Sequence, residues 1–225
     1  MGDEFLDMKS YTDIYEDYHK NVYLYAEKEY SWYKQADNLK DAVRKAFLSE
    51  DEQGKVHPHQ RRVGRQRLAL AADIALKHLD TQCVIDFDNF NSIYQFVQDI
   101  RNKVEGFGEL ANYDVALRIT KYLGFELQEV YLHAGVTIGF RALCLNVEER
   151  DIIPVEDFPE PFNLLSGDHL ENLLCIYKEM LEHSFAELAK TCICTKKIII
   201  ALTKTAAFKM LIINRFLWRW YCSSA

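Results

Sequence analysis

Apolar and polar positions along most of the chain recur at the three-and-four spacing of amphipathic helices. Tyr11, Tyr15, Tyr18, Val22, Tyr25 and Ala26 form the first stripe, with acids and lysines opposite, and predict a long N-terminal helix. The tyrosines crowded between positions 11 and 33 read as its wide packed face in preference to a stacking surface for bases. A second helix is expected over 38–49, ended by Gly54 and Pro58. After His57-Pro58-His59-Gln60-Arg61-Arg62 the helical pattern returns over 66–79. Residues 88–103 read as a helix capped by Asp88 or Asn89, with Phe90, Ile93, Tyr94, Val97, Ile100 and Val104 as its stripe. Gly106-Phe107-Gly108 interrupts it, and a further helix over 109–123 closes at Gly124.

Two short helical pieces are expected over 127–134 and 136–145, followed by an acidic loop from Asp151 to Pro161. Ser166-Gly167-Asp168 opens a last helix, 168–188, whose stripe includes Leu170, Leu173, Leu174, Tyr177, Met180 and Leu181. Val84-Ile85 is the only strand-like fragment before the tail. The expected fold class is all-α, an irregular multi-helix globular domain.

Composition is consistent with that class. The chain has 225 residues, 49% of them apolar, with 4 Pro and 9 Gly, which supports a sizeable core and excludes collagen-like and low-complexity classes. Net charge is −7, and its distribution divides the chain. Residues 1–52 (net −6) read as an acidic, Tyr-rich helical segment packing on the core. Residues 53–190 read as the core domain, basic over 53–79 (net +5) and acidic over 80–189 (net −13). Residues 191–225 read as a basic apolar tail without a single acid.

The acidic start, Met1-Gly2-Asp3-Glu4, predicts no secretory signal. Six scattered cysteines, three of them in apolar helical contexts, predict reduced thiols and a cytoplasmic setting. No run of about 18 uncharged apolar residues offers a membrane span. The tail reads either as a basic amphipathic segment on an anionic membrane surface, over 196–221, or as an extension not integrated with the core. The second reading is favoured, because Lys204, Lys209, Arg215 and Arg219 do not segregate to one face.

Arg61, Arg62, Arg65 and Arg67 form the one concentrated basic patch before the tail. Guanidinium forks suit phosphates, and pairing with the acidic blocks is the equal alternative. His57-x-His59 and Cys192-x-Cys194 lack partners at ligand spacing, so neither metal nor cofactor is expected. Phosphate-binding P-loops, nucleophile elbows and His-Glu-x-x-His pairs are absent.

The segment from Ile100 to Ile119 carries the functional hypothesis. Two glycines flank Phe107 between two helices, allowing a tight turn whose exposed N–H groups can hold a phosphate together with the positive end of the second helix. This resembles the helix-hairpin-helix motif, in which an apolar residue between glycines anchors the hairpin. The resemblance extends over about 100–145 to the DNA glycosylases related to endonuclease III, where a valine, an aspartate and a nearby histidine follow. Val130-Tyr131-Leu132-His133 stands in that place.

Tyr131 occupies the aspartate position and Leu110 the position of the lyase lysine, so no Schiff-base chemistry follows. Glu129 is the nearest substitute carboxylate, with Asp114 second. The resemblance implies a protein that binds double-stranded DNA, with Gly106, Phe107, Gly108 and Glu109 at the phosphate and the four arginines steering the duplex. It implies a monofunctional N-glycosylase-like hydrolase if the protein is an enzyme, with Tyr113, Asp114, Tyr131 and His133 near a pocket. Glu105, Glu109 and the surrounding acids oppose phosphate binding unless the arginines fold beside the hairpin. The alternative is a non-enzymatic helical module that binds a protein partner.

Overall fold

The computed structural model describes residues 10–81, 87–143 and 150–182. Ser10 opens helix α1 (Tyr11–Tyr18) with a capping box: its side chain accepts from the Asp13 N–H, and the Asp13 carboxylate reaches back to the Ser10 N–H. The chain continues through a π-helical turn, His19–Tyr23, into α2 (Leu24–Lys34). That turn rotates the apolar face. Ile14 and Tyr18 are buried before it, and Ala26, Tyr30 and Tyr33 after it. One member of the expected stripe departs from it: Tyr25 stands exposed, where the wider turn breaks the regular spacing, while Ala26 beside it stays buried.

Asn38 caps α3 (Leu39–Leu48), which ends at Ser49 in the left-handed region. Residues 50–64 form a loop closed by a bridge between Glu50 and Val56 and carrying the 3-10 turn Pro58–Gln60. Then come α4 (Arg65–Thr81), α5 (Phe90–Arg101), capped by Asn89, and α6 (Glu109–Leu123), closed by Gly124 at φ 78°. α3 packs on α4 and α6, and α5 on α6. Together with the buried face of α2 they enclose one apolar core, which includes Phe47, Leu68, Ile93, Ile100 and Ile119. α6 runs through the middle and is buried almost all round from Ala111 to Lys121.

The segment 127–134, expected to be helical, instead forms strand β1 (Glu129–Tyr131). It pairs antiparallel with β2 (Ile152–Pro154) in the segment read as a loop, with Val130 opposite Ile153. Val-Tyr and Ile-Ile favour an extended backbone, and the cross-strand partner that decides the matter lies 23 positions away. The chain is mostly helical, with this one two-stranded ribbon among the described residues.

α7 (Ala134–Ala142) and α8 (Gly167–Ile176) pack on each other and on α1 and the ribbon around a second core, with Phe140, Phe162, Leu170 and Leu173 at its centre. Two glycines permit backbone contact there: a Cβ on Gly139 would lie 2.1 Å from the Leu174 carbonyl oxygen, and one on Gly167 2.0 Å from that of Glu129. The last helix is shorter than expected. It breaks at Tyr177 before resuming through residue 182. Val84-Ile85, residues 183–188 and the tail lie outside the described residues. No helix among the described residues is long and apolar enough to cross a membrane.

Candidate nucleic-acid interface

The junction between α5 and α6 turns through successive backbone hydrogen bonds, from Val104 N–H to the Arg101 carbonyl (3.0 Å) and from Phe107 N–H to that of Val104 (3.2 Å). Val104 and Phe107 are buried, the latter with its ring 6.0 Å from that of Phe47. The apolar residue between the glycines thus ties the turn to the core. Gly106 has φ 81°, a conformation that side chains rarely adopt. Gly108 caps α6 without a side chain, so Gly106, Gly108 and Glu109 are exposed at the positive end of the helix.

Of the four arginines, Arg67 reaches this turn. Its Nε lies 3.3 Å from where a Cβ on Gly106 would stand, while its guanidinium also donates to the Val63 carbonyl. Arg65 is held by Glu50 (2.6 Å) and the Gly54 carbonyl (2.9 Å), and Arg61 bonds to the Val56 carbonyl (3.5 Å), both within their own loop. Arg62 is exposed. Over residues 101–109 Arg101 and Lys103 balance Glu105 and Glu109 in number, and Arg67 brings one further positive charge to the turn.

Asp114 belongs to a different cluster. It accepts from the Gln60 side chain and faces His59 at 3.8 Å, while the Gln60 oxygen and Ser49 hydroxyl accept from the Arg118 guanidinium at 3.1 and 2.9 Å. Burial pushes the Asp114 carboxyl up, but His59, Arg118 and Gln60 outweigh it and hold it below its ordinary value. The same bond to Asp114 raises His59. His57 sits between the Tyr33 hydroxyl (2.9 Å) and Glu29 (3.3 Å), and burial together with the Arg118 charge lowers it to about 4. This network fixes the arginine-bearing loop to α2 and α6.

Tyr113, Tyr131 and His133 do come together: the Tyr113 ring lies 5.5 Å from each of the other two, and Phe90 and Tyr94 complete the aromatic cluster. Behind them lies Glu171, a residue the sequence reading passed over. Its carboxylate accepts from the Tyr131 N–H at 2.6 Å and stands 3.6 Å from His133 Nε2. Burial raises its pKa in spite of these partners. The available signal was spacing: Asp168 and Glu171, three apart among leucines, share one face of α8. Glu129, by contrast, is exposed on β1.

No group of three or more His, Cys, Asp or Glu among the described residues could hold a metal ion. Comparison with family models, with curated proteins and with solved structures gives no match.

Proposed function

We propose that the chain binds double-stranded DNA at the α5–α6 junction, as a helix-hairpin-helix protein of the base-excision type. The observation that carries the reading is the stacking of Arg67 against Gly106. It brings a guanidinium to the turn whose free N–H groups would otherwise meet a phosphate between two glutamates alone. The backbone donors at Gly106 and Gly108 position one phosphate, and Arg67 supplies the charge that makes the contact favourable. Arg62, exposed on the adjoining loop, extends the basic surface.

Fluorescence anisotropy of a labelled duplex, titrated with the full chain over a salt series, tests this. Arg67→Ala should weaken binding several-fold and reduce the slope of log affinity against log salt by about one. Because the basic tail is common to both proteins, the difference isolates the junction. An unchanged affinity and slope would sink the proposal. A protein-interaction module is the second reading, favoured by Leu24 and Tyr25, which present adjacent apolar side chains 73% and 74% exposed on α2.

A further inference from the structure

Half of the large apolar side chains left exposed among the described residues belong to the elements around the second core: Ile138, Ile152, Leu164 and Ile176. Ile138 and Ile176 flank one helix crossing. Gly135 and Gly139 of α7 lie against Cys175 and Leu174 of α8. Ile138 therefore precedes one contact residue and Ile176 follows another, and the two side chains are 43% and 54% exposed. Charge in this part of the chain has one sign. Glu179 and Glu182 follow Ile176 at intervals of three and are exposed, as are Glu156 and Glu160. Over residues 150–182 Arg150 is engaged by Asp157 at 3.6 Å, and Lys178 is the only other lysine or arginine. An apolar face beside unmatched carboxylates fits a partner that is both apolar and basic.

The chain carries such a segment. Residues 191–225 contain Lys196, Lys197, Lys204, Lys209, Arg215 and Arg219 and no acid, and Ile198-Ile199-Ile200-Ala201-Leu202 stands between the first lysines. Ile198 lies 16 positions beyond Glu182, on the order of 50 Å of chain when extended, which is ample to turn back over Ile176 and Ile138. Other exposed apolar side chains match the segment less well. Leu24 and Leu70 each stand one helical turn from an exposed base, Lys28 and Arg67, which repels it.

We propose that residues 196–221 dock on the outer face of α7 and α8, in place of the unintegrated extension expected from the sequence. The isoleucines of the segment cover Ile138 and Ile176, and Lys196, Lys197 and Lys204 meet the carboxylates of residues 156–182. Apolar burial supplies the attraction, and the opposite charges select this face. The docking is independent of duplex binding at the α5–α6 junction.

The test is hydrogen exchange of the full chain, followed peptide by peptide. Amides over 198–221 should exchange about 10-fold or more slowly than in the free peptide of the same sequence. Ile138→Glu with Ile176→Glu should abolish that protection while amides of α6 exchange as in the parent, which shows the fold intact. Glu179→Lys with Glu182→Lys should reduce it several-fold at low salt and little at about 1 M, where charges are screened. Carbodiimide cross-linking of mixed ¹⁵N-labelled and unlabelled chains should join Lys204 or Lys209 to Glu156, Glu160 or Glu179 within one chain. Exchange as fast as in the free peptide overturns the proposal, and so does protection that survives both double variants. Cross-links between labelled and unlabelled chains assign the face to a second copy instead. Protection gained only with phosphatidylserine–phosphatidylcholine vesicles assigns the segment to a membrane surface, and either result overturns docking within the chain.

Discussion

Lys121 Nζ lies 2.7 Å from Asp168 Oδ2, and the two side chains are 9% and 0% exposed. Lys121 belongs to α6, in the first core, and Asp168 to α8, in the second, so one ion pair joins the halves of the molecule. Lys121 also stands over the Tyr30 ring at 4.7 Å, and the other Asp168 oxygen accepts from the Ser166 hydroxyl. Such a pair is costly to break, because the surviving charge stays buried. Lys121→Met should therefore destabilise the fold by about 3–5 kcal/mol, whereas the double variant with Asp168→Leu recovers part of the loss. Urea denaturation of the three proteins measures the difference.

Arg118 performs a similar office for the loop. It donates to Ser49 and Gln60 and lies over the Tyr33 ring at 5.4 Å. Arg118→Met removes one of the groups that, with His59 and Gln60, hold Asp114 low, and leaves the Gln60 oxygen without that donor. A loss of about 2–4 kcal/mol is expected, from one buried charge network broken on one side. Hydrogen exchange should quicken at Gln60 and Val63, whose amides bond within the loop. Exchange at those amides no faster than in the parent chain would refute the staple.

These two residues mark how far the sequence was legible. The bounds of helices α3 to α6 are legible to within two residues, because a cap at Asp88 or Asn89 and the stops at Gly106 and Gly124 are local signals. Buried polar pairs are not local. Nothing near Lys121 names Asp168, 47 positions on, and nothing near His133 names Glu171. The ribbon was missed for the same reason, since each strand is three residues long and is defined by its partner. Tyr25 falls off the N-terminal stripe because a π turn leaves no mark in a spacing count. In the sequence Arg67 is one of four neighbouring arginines with nothing to set it apart; its contact with Gly106 depends on how α4 packs.

Gly139 and Gly167 permit two close contacts of the second core. Alanine at either would drive a methyl group to about 2 Å from a backbone oxygen, of Leu174 or of Glu129, and backbone cannot swing aside as a long side chain can. Each substitution should cost about 3 kcal/mol or more, at the upper end of overpacking effects. Gly108→Ala, where nothing lies within 4 Å of the new methyl, should be close to neutral by the same thermal or urea measurement.

Acid should weaken the fold through His57. Its folded value, about 4, lies below the 6.5 of a free imidazole, because the ring is buried and Arg118 repels its proton, against the opposing pull of Asp51 and Asp114. The unfolded chain therefore takes up the proton first, and stability present above pH 6.5 is lost as pH falls towards 4. His169, lowered by burial, acts in the same direction. Glu29 and Glu171, raised by burial, oppose it just above their ordinary 4.5, since each favours the folded state while protonated. The contribution of His57 emerges by difference. His57→Gln should lower stability at pH 7.5, where it loses the contacts to Tyr33 and Glu29, and lose less of what remains between pH 6.5 and 4.5 than the parent chain does. Urea midpoints across that range give the two slopes, and parallel slopes would show that this ring takes no part in the acid response.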